Sequence, residues 1–285
     1  RGMRLVKSQD ELESAFGSAQ AEAKNAFNNG DLYLEKFVEN PRHIEVQILA
    51  DSSGNTVHLG ERECTIQRRH QKLIEESPSV IVDGDLRKKL GTSAINAAKT
   101  VKYVGVGTVE FLVDKNLNYY FMEMNTRIQV EHPVTEMVSG VDLIKQQIRM
   151  HVGKSFPSFL EKFQLRGHAI ECRINAEDPA NDFVPSPMEI TSFHMPGGKG
   201  VRVDSHAYAG YQIPTYYDSM IGKLIVFSSS RERAIIRMER ALEECIIEGP
   251  KTTIPFHQAI MRDEQFINGN FDTSFLDNFH YSVAD

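Results

Sequence analysis

The stretch Glu123–Pro133 reads EMNTRIQVEHP, and its odd positions from 123 to 131 are all charged or amide residues. The even positions from 124 to 130 are Met, Thr, Ile and Val. This alternation predicts an extended chain whose side chains point to two opposite faces. A solvated surface strand would show the same pattern. An active site would equally suit a face of carboxylates, amides and a guanidinium, so the rest of the sequence has to decide.

The composition indicates an ordinary globular chain of one or two domains, with 285 residues of which 41% are hydrophobic and 25% charged. No apolar run approaches the roughly 20 residues of a membrane helix, so we expect no membrane partner. A net charge of -7 argues against nucleic acid as the main partner. The start has neither a signal-peptide apolar region nor an initiator methionine, so we expect a piece cut from a longer chain.

The cysteines Cys64, Cys172 and Cys245 are odd in number, widely spaced and form no CxxC motif. This usage indicates reduced thiols in an intracellular protein. Each cysteine is predicted to be a small core residue.

Hydrophobic periodicity divides the chain into helices and strands. Ser8 and Glu11 resemble a capping box that opens an alanine-rich helix ending near Phe27. The other predicted helices cover residues 85–101, 141–152, 231–245 and 253–261. The predicted strands cover residues 31–38, 42–50, 56–59, 106–113 and 119–125. The pattern weakens over residues 153–166, where we place a boundary, and the mixture predicts an α+β fold with antiparallel sheet.

A hairpin is predicted around the turn Asp114–Asn118. If Val113 pairs with Tyr120, then Glu110 lies opposite Glu123 on the same face. Two opposed carboxylates repel unless a cation lies between them, and Mg²⁺ takes one or two carboxylates together with substrate phosphates. The spacing alone leaves open a metal site, a glutamate paired with an arginine, or a different register.

The run QRRHQK at residues 67–72 concentrates basic and titratable groups. It predicts either a solvated face or an anion site. Beside a metal-binding hairpin, such cations together with the metal can clamp a nucleoside triphosphate.

Two more segments alternate between polar and apolar residues. YLEKFV at residues 33–38 is either an ordinary amphipathic strand or the border of an adenine ring. ECRINAE at residues 171–177 places Arg173 and Asn175 on one face with two glutamates, which a surface salt-bridge network would explain.

Four long segments carry a resemblance to a known family. They are GERECTIQRRHQKLIEESPS (60–79), EMNTRIQVEHPVTEMVSGVDLI (123–144), RGHAIECRINAED (166–178) and YDSMIGKLIV (217–226). In this order they closely resemble biotin carboxylase, the ATP-grasp enzyme of acetyl-CoA carboxylase that also occurs within propionyl-CoA and pyruvate carboxylases. The resemblance runs from Arg1 to about Phe279, and it favours an active-site strand for the opening stretch.

The resemblance implies an α+β fold in three parts. Residues 1–37 would be a remnant of the ATP-grasp lid, residues 38–158 the ATP-grasp core with antiparallel sheet, and residues 159–285 the biotin carboxylase C-terminal domain. The family's N-terminal domain, glycine loop and lid lysines would precede Arg1. We therefore expect a fragment that binds ATP weakly and is inactive alone.

The resemblance also implies a set of site residues. Glu110, Glu123 and Asn125 would bind Mg²⁺ or Mn²⁺. The bicarbonate site would comprise the catalytic groups Arg127 and Lys72, the general base Glu131, and Gln129 with the backbone of Val130. The nucleotide would lie near Glu35, Lys36, Val38, His43 and His70. Arg173 would hold the ureido oxygen of biotin.

The implied activity is the Mg-ATP-dependent carboxylation of carrier-bound biotin by bicarbonate, the first half-reaction of acetyl-CoA carboxylase in fatty acid synthesis. The implied partners are a biotin carboxyl carrier protein, carboxyltransferase subunits and, in the full enzyme, a second copy. The implied location is the cytoplasm, or an organelle in a eukaryote. Two rival hypotheses are another ATP-grasp ligase such as a carbamoyl-phosphate synthetase, and a non-catalytic fragment that only folds or dimerises. The ECRINAED segment argues against the first rival.

Overall fold

The segment RHIEVQILA forms strand β1 (Arg42–Ala50), buried along almost its whole length, in a computed structural model that describes residues 3–157, 160 and 164–281. The two faces of β1 differ in chemistry because side chains alternate along a strand. Ile44 and Val46 join an apolar cluster. Glu45 and Gln47 are also buried, and they hydrogen-bond to polar groups on the other face. This strand therefore separates an apolar core from a polar site.

Residues Arg1–Glu39 and Asn40–Asp285 form two compact units. The first unit contains helix α1 (Gln9–Phe27), which ends at Phe27 as predicted and is followed by Asn28 in the left-handed conformation. The predicted capping box forms only in part. Ser8 makes no side-chain cap hydrogen bond, whereas the Glu11 carboxylate accepts from the Lys7 N–H at 3.1 Å.

The strand predicted over residues 31–38 is wrong. This segment has no regular secondary structure, and Tyr33 and Leu34 are 83% and 74% exposed. An alternating segment becomes a strand only where a neighbouring strand exchanges backbone hydrogen bonds with it. The described part of the first unit contains no such strand.

The second unit is built on antiparallel sheet. After β1, its strands are β2 (Thr56–Arg68), β3 (Gln71–Ser77), β4 (Gly105–Val113), β5 (Tyr119–Asn125), β6 (His168–Asn175), β7 (Glu177–Asp178), β8 (Val184–Pro185), β9 (Ser192–His194), β10 (Val201–Ser205), β11 (Met220–Ser228) and β12 (Ile246–Glu248). Eight of them form one sheet in the order β10-β11-β6-β3-β2-β1-β4-β5. The strands β7 with β8, and β9 with β12, form two small sheets. The predicted α+β class is confirmed.

The large sheet continues across the predicted boundary at residues 153–166. Strand β3 lies before this segment and pairs with β6, which lies after it. The sheet therefore joins the regions on both sides, and the division at residue 158 stays a prediction.

The helices of the second unit are α2 (Gly84–Thr100), α3 (His132–Ser139), α4 (Leu143–His151), α5 (Arg231–Glu244), α6 (Ile254–Met261), α7 (Glu264–Ile267) and α8 (Phe275–Asn278). Helices α2, α4, α5 and α6 lie close to their predicted positions, whereas α7 and α8 were not predicted. Asp83, Asp142 and Ser230 cap the first turns of α2, α4 and α5 by accepting backbone N–H bonds. Helix α3 was not predicted. None of the described helices is long and apolar enough to cross a membrane.

Strand β2 is longer than the sequence pattern predicts, and β3 was not predicted. The predicted strand ended at Leu59, but β2 continues to Arg68 and turns back into β3 through Arg69 and His70, both at positive φ. Polar residues such as Arg62 are buried in β2 and interrupt its apolar pattern. The QRRHQK run therefore comprises the end of β2, the hairpin turn and the first residues of β3.

The β4–β5 hairpin places Glu110 opposite Glu123, as predicted. The predicted pairing of Val113 with Tyr120 is wrong by one residue, because Val113 pairs with Tyr119. A register shift between Phe111 and Glu110 restores the alignment at the glutamates. A β-bulge of this kind adds one residue to a single strand.

The strand predicted over residues 123–131 is correct only as far as Asn125. Residues 126–131 form an irregular segment, and α3 starts at His132 with Pro133 in its first turn. Proline favours this position because its missing N–H would have no helical partner there. Residues 123–133 thus comprise the end of β5, a connecting segment and the start of α3.

All three cysteines are free and buried. Burial raises the pKa of Cys64 and Cys172 well above the usual value of a thiol. This environment confirms that the cysteines are core residues.

The apolar side of the sheet gives a stability prediction. Leu90 of α2 is fully buried in the cluster with Ile44 and Val109. Leu90→Ala should lower the free energy of unfolding by about 2–5 kcal/mol, because it removes buried methyl groups and leaves a cavity. Ile148→Ala on α4 is the control, since Ile148 is 62% exposed. Urea unfolding of the 285-residue chain measures both, and equal losses would contradict the assigned core.

Candidate active site

A row of charged side chains crosses four neighbouring strands on the polar face of the sheet. Glu123 pairs with Glu110, Glu110 with Glu45, and Glu45 with Arg62. Directly opposed residues bring their Cβ atoms to about 4.5–5.5 Å, so three successive carboxylates repel one another. Cations must therefore offset their charge.

Arg62 is one of these cations and is fully buried. Its guanidinium has five N–H donors, and all of them find acceptors. The acceptors are Glu45 at Nε, Gln47 and Thr135 at 2.6 and 2.9 Å, and Thr108 and Gln129 at 3.1 Å each. Burial would raise the pKa of Glu45, but the charges of Arg62 and then Lys72 lower it to about 2.

Lys72 is the second cation, and it contacts two carboxylates of the row together with Glu131. Its Nζ donates to Glu45 at 2.6 Å, to Glu110 at 3.2 Å and to Glu131 at 2.6 Å. Burial would lower the pKa of Lys72, but these carboxylates raise it above its usual value. The ammonium therefore stays charged while it joins two strands to the start of α3.

Arg173 of β6 contacts the oxygen of Glu131 that Lys72 does not contact. One guanidinium nitrogen donates to Glu131 Oε2 at 2.9 Å, while Nε donates to Glu75 at 2.6 Å. Burial would lower the pKa of Arg173, but Glu75 and Glu131 raise it above its usual value. The two oxygens of Glu131 thus lie between two cations, and the predicted surface salt-bridge network around Arg173 is in fact buried.

The residues expected to bind a metal meet at Asn125. Its amide nitrogen lies 2.9 Å from Glu110 Oε1 and 3.0 Å from Glu123 Oε1. Rotation of the amide would present its oxygen instead, because the two ends of the group are assigned from the hydrogen-bond network. Two carboxylates and an amide oxygen suit a hard cation such as Mg²⁺ or Mn²⁺. The donor set therefore fits the implied metal.

A second group of possible ligands has a different explanation. One ligand atom each from His43, Glu45 and Glu110 lie within 4.8 Å of one another. His43 Nε2 is already 2.7 Å from Glu110 Oε2, and Lys72 donates hydrogen bonds to both carboxylates. This group is a buried hydrogen-bonded ion network.

The irregular segment before α3 holds the residues implied for bicarbonate. Gln129 is buried, and its amide donates to Glu110 Oε1 at 2.7 Å. Lys223 of β11 donates to the Val130 carbonyl at 2.6 Å and so fixes the backbone there. Arg127 is exposed and donates to the Ile128 carbonyl at 3.2 Å. One exposed guanidinium therefore adjoins an otherwise buried cluster.

The residues implied for the nucleotide fall into two groups. His43 belongs to the buried cluster through Glu110, and His70 is exposed at the β2–β3 turn. Glu35, Lys36 and Val38 belong to the first unit and follow α1 in an irregular segment. The structure thus assembles His43 with the metal and bicarbonate residues.

Two known families match the chain, one before and one after residues 160–170. Residues 1–159 match the family described as carbamoyl-phosphate synthase L chain, ATP binding domain. Residues 171–278, which include Arg173, match the biotin carboxylase C-terminal domain. The chain belongs to the biotin carboxylase family.

Several relatives of the biotin carboxylase family are very similar to the chain. The biotin carboxylase of Nostoc sp. is 60% identical over 276 residues, which cover 97% of this chain and 62% of that protein. The biotin carboxylase 1 of Bacillus subtilis is 55% identical, with 98% and 62% covered. A crystal structure described as the complex of Campylobacter jejuni biotin carboxylase with β,γ-ATP has a TM-score of 0.92 and 54% identity, with 98% and 62% covered. The chain spans about three fifths of the length of these relatives.

Sequence reasoning missed several residues of this candidate site. Glu45, Arg62, Glu75 and Lys223 were not predicted, although each contacts a predicted residue or its backbone. One signal was available for Glu45 because it interrupts one face of an apolar strand. Burial of Arg62 depends on β2 lying beside β1, and burial of Glu75 and Lys223 depends on β3, β6 and β11 meeting side by side.

The buried Glu45–Arg62 pair gives a prediction on pH. The pKa of Glu45 is about 2 in the folded chain against a usual 4.5, so this carboxylate stabilises the fold above about pH 4.5 and loses that effect as the pH falls. Glu45→Gln should cost roughly 3–5 kcal/mol at about pH 7, because Arg62 loses its anion. The difference from wild type should shrink by about 2 kcal/mol between about pH 5 and about pH 3.

Urea unfolding across this pH range measures the effect, with Glu189→Gln as an exposed control. A difference that stays constant over the whole range would contradict the assigned charge state of Glu45.

The metal pair gives a second prediction. Glu123→Gln should weaken Mn²⁺ binding by at least about tenfold, or about 1.4 kcal/mol, because one of two anionic ligands is lost. Electron paramagnetic resonance of free Mn²⁺ measures this on the chain itself. Glu248→Gln is the control, since Glu248 is exposed on β12. Equal affinities in the two variants would remove Glu123 from the metal site.

Proposed function

We propose that this chain carries the metal, bicarbonate and biotin sites of a biotin carboxylase. The reaction is the carboxylation of carrier-bound biotin by bicarbonate with Mg-ATP. The observation that supports this best is the position of Glu131, whose two oxygens accept hydrogen bonds from Lys72 and Arg173. A carboxylate between two cations provides a base with an anion site on either side.

In the first step, Glu131 takes the proton of bicarbonate. Bicarbonate replaces Glu131 as the acceptor of the Lys72 hydrogen bond, and the exposed Arg127 holds another of its oxygens. A bicarbonate oxygen attacks the γ-phosphorus of ATP, and the bond to the β-phosphate oxygen breaks. The products are carboxyphosphate and ADP, and positioning with electrostatic stabilisation provides the catalysis.

In the second step, carboxyphosphate divides into CO₂ and phosphate. Phosphate takes the N1′ proton of biotin, and the electron pair moves to the ureido oxygen. The Arg173 guanidinium stabilises this oxygen, because Glu75 fixes its Nε and keeps it on the side of Glu131. N1′ then forms a bond to the carbon of CO₂.

Glu110, Glu123 and Asn125 would hold Mg²⁺ or Mn²⁺, which neutralises charge on the triphosphate. The carboxylate of Glu110 is preorganised for this role, because hydrogen bonds with His43 and Gln129 fix its orientation. We assign Glu35, Lys36, Val38 and His70 to the nucleotide border on the resemblance of their motifs. In the same way we assign residues 1–37 to the lid, residues 38–158 to the core and residues 159–285 to the C-terminal domain.

The proposed partners are a biotin carboxyl carrier protein, carboxyltransferase subunits and a second copy of the chain. Relatives named biotin carboxylase support acetyl-CoA carboxylase and fatty acid synthesis as the context. A relative from Methanothermobacter thermautotrophicus, named as one of the subunits of pyruvate carboxylase, is 55% identical and makes pyruvate carboxylase the alternative. The proposed location is the cytoplasm, or an organelle, as for the chloroplastic relative from Arabidopsis thaliana.

A chimera tests the two chemical roles. This chain replaces the matching 276-residue segment of the Nostoc biotin carboxylase. Arg173→Ala should lower biotin carboxylation by at least about 100-fold, because the ureido oxygen loses its cation, and should lower bicarbonate-dependent ATP cleavage much less. Glu131→Gln should lower both activities, since bicarbonate activation comes first.

Two exposed residues provide matched controls, Arg240→Ala and Glu189→Gln. Equal losses of both activities in both site variants would contradict this division of roles. An unmodified chimera that cannot carboxylate biotin would contradict the proposed function itself.

The same chimera tests the nucleotide site. The Nostoc residues outside the matching segment would supply the glycine loop and lid lysines, and each charge-assisted hydrogen bond to phosphate contributes roughly 1.5–3 kcal/mol. Mg-ATP should therefore bind the chimera at least about 100-fold more tightly than the chain alone. Titration calorimetry measures both, and equal affinities would show that the first 39 residues and the core suffice.

A further inference from the structure

A pair of buried glutamates adjoins Arg173, and one of them, Glu171, has no part in the proposed reaction. Glu75 of β3 is directly opposite Glu171 of β6 in the strand register. Both side chains are fully buried. Directly opposed side chains come within about 4.5–5.5 Å at Cβ, so two ionised carboxylates would repel strongly in this interior.

The hydrogen bonds of the two glutamates are unequal. Glu75 Oε1 accepts from Arg173, whereas Glu75 Oε2 and both oxygens of Glu171 have no partner among the described residues. A buried carboxylate without a donor is costly, and it becomes neutral when it can. A proton on Glu171 would supply the donor that Glu75 Oε2 lacks.

Strands β2 and β11 and helices α3 and α5 pack against the two strands of the pair. Helix α5 meets β6 in the apolar cluster that contains Cys172 and Ile174. The charged or titratable groups on the other elements are His58, Glu61, Arg62, Glu63, Cys64 and Arg68 on β2, Lys72 and Glu76 on β3, His168, Cys172 and Arg173 on β6, Glu131, His132 and Glu136 at α3, and Lys223 on β11. The cations among them that act on Glu171 are engaged elsewhere. Lys223 donates to the Val130 carbonyl, and Arg173 donates to Glu75 and Glu131.

We propose that Glu75 and Glu171 share one proton and act as a positioning pair for Arg173. The pair then carries a single negative charge, which holds Arg173 at Nε. A second negative charge beside it would draw the guanidinium away from Glu131 and weaken its response to an anionic substrate oxygen. Burial, with the neighbouring Glu75, raises the pKa of Glu171 well above its usual value, which agrees with a retained proton. The functional half of the proposal rests on the proposed role of Arg173 towards biotin.

Infrared spectroscopy of the chain itself tests the shared proton without any substrate. A protonated carboxyl group absorbs at a higher frequency than a carboxylate. The difference spectrum between wild type and Glu171→Gln, at about pH 6.5, should contain the band of one carboxylic acid. Glu171→Leu, of similar volume, serves the same purpose if the glutamine variant does not fold.

Glu76→Gln is the matched control for this spectrum. Glu76 is the next residue and is equally buried, but Arg231 and His168 pair with it and its pKa is lowered to about 2. Its difference spectrum should contain only a carboxylate band. A carboxylate band alone in the Glu171 spectrum would overturn the shared proton.

The pH profile of the chimera tests the positioning role. Wild-type biotin carboxylation should fall at alkaline pH as the shared proton leaves, and Glu171→Gln should move this fall upwards by at least about 1 pH unit. A uniform loss at every pH would overturn the positioning role, because a purely structural residue acts that way. If the unmodified chimera does not carboxylate biotin, the proposed function fails, while the infrared result still decides whether the proton is shared.

Discussion

The buried guanidinium of Arg62 is the interaction on which the rest of the site depends. Its acceptors lie on β1, on β4, in the segment before α3 and on α3 itself. A buried arginine that loses one acceptor leaves a charged donor unsatisfied, which costs far more than an exposed contact gains. The strand register and the path of residues 126–131 must therefore be correct together, and Arg62 couples the fold to the site.

The same requirement explains how carboxylates and cations alternate across the polar face. Lys72 lies between Glu45 and Glu131, and Arg173 lies between Glu131 and Glu75. Each of these charges is held by neighbours of opposite sign, so substrates of the proposed reaction would exchange hydrogen bonds within an existing arrangement. Such preorganisation lowers the cost of stabilising charge that develops during a reaction.

Much of the fold could be predicted from local patterns. Strand β1 and the ends of α1, α2 and α5 follow from periodicity and capping residues. Strand β3 and most of β2 could not be predicted in this way, because buried polar residues interrupt their apolar pattern. The opposition of Glu110 and Glu123 was correct although the assumed register was wrong, since a bulge compensates for the shift. Only hydrogen bonding between strands decides where a bulge lies.

The sequence by itself determined the family, the α+β class and the identity of Glu131, Lys72 and Arg173 as one group, because long motifs keep chemically matched residues in order. The tertiary structure decided which polar residues are buried beside them. Glu75 meets Glu171 only because β3 and β6 are neighbours in the sheet, although 96 residues separate them in the chain. A carboxylate acquires its charge state from burial and from partners distant in sequence, and neither is present in a local pattern.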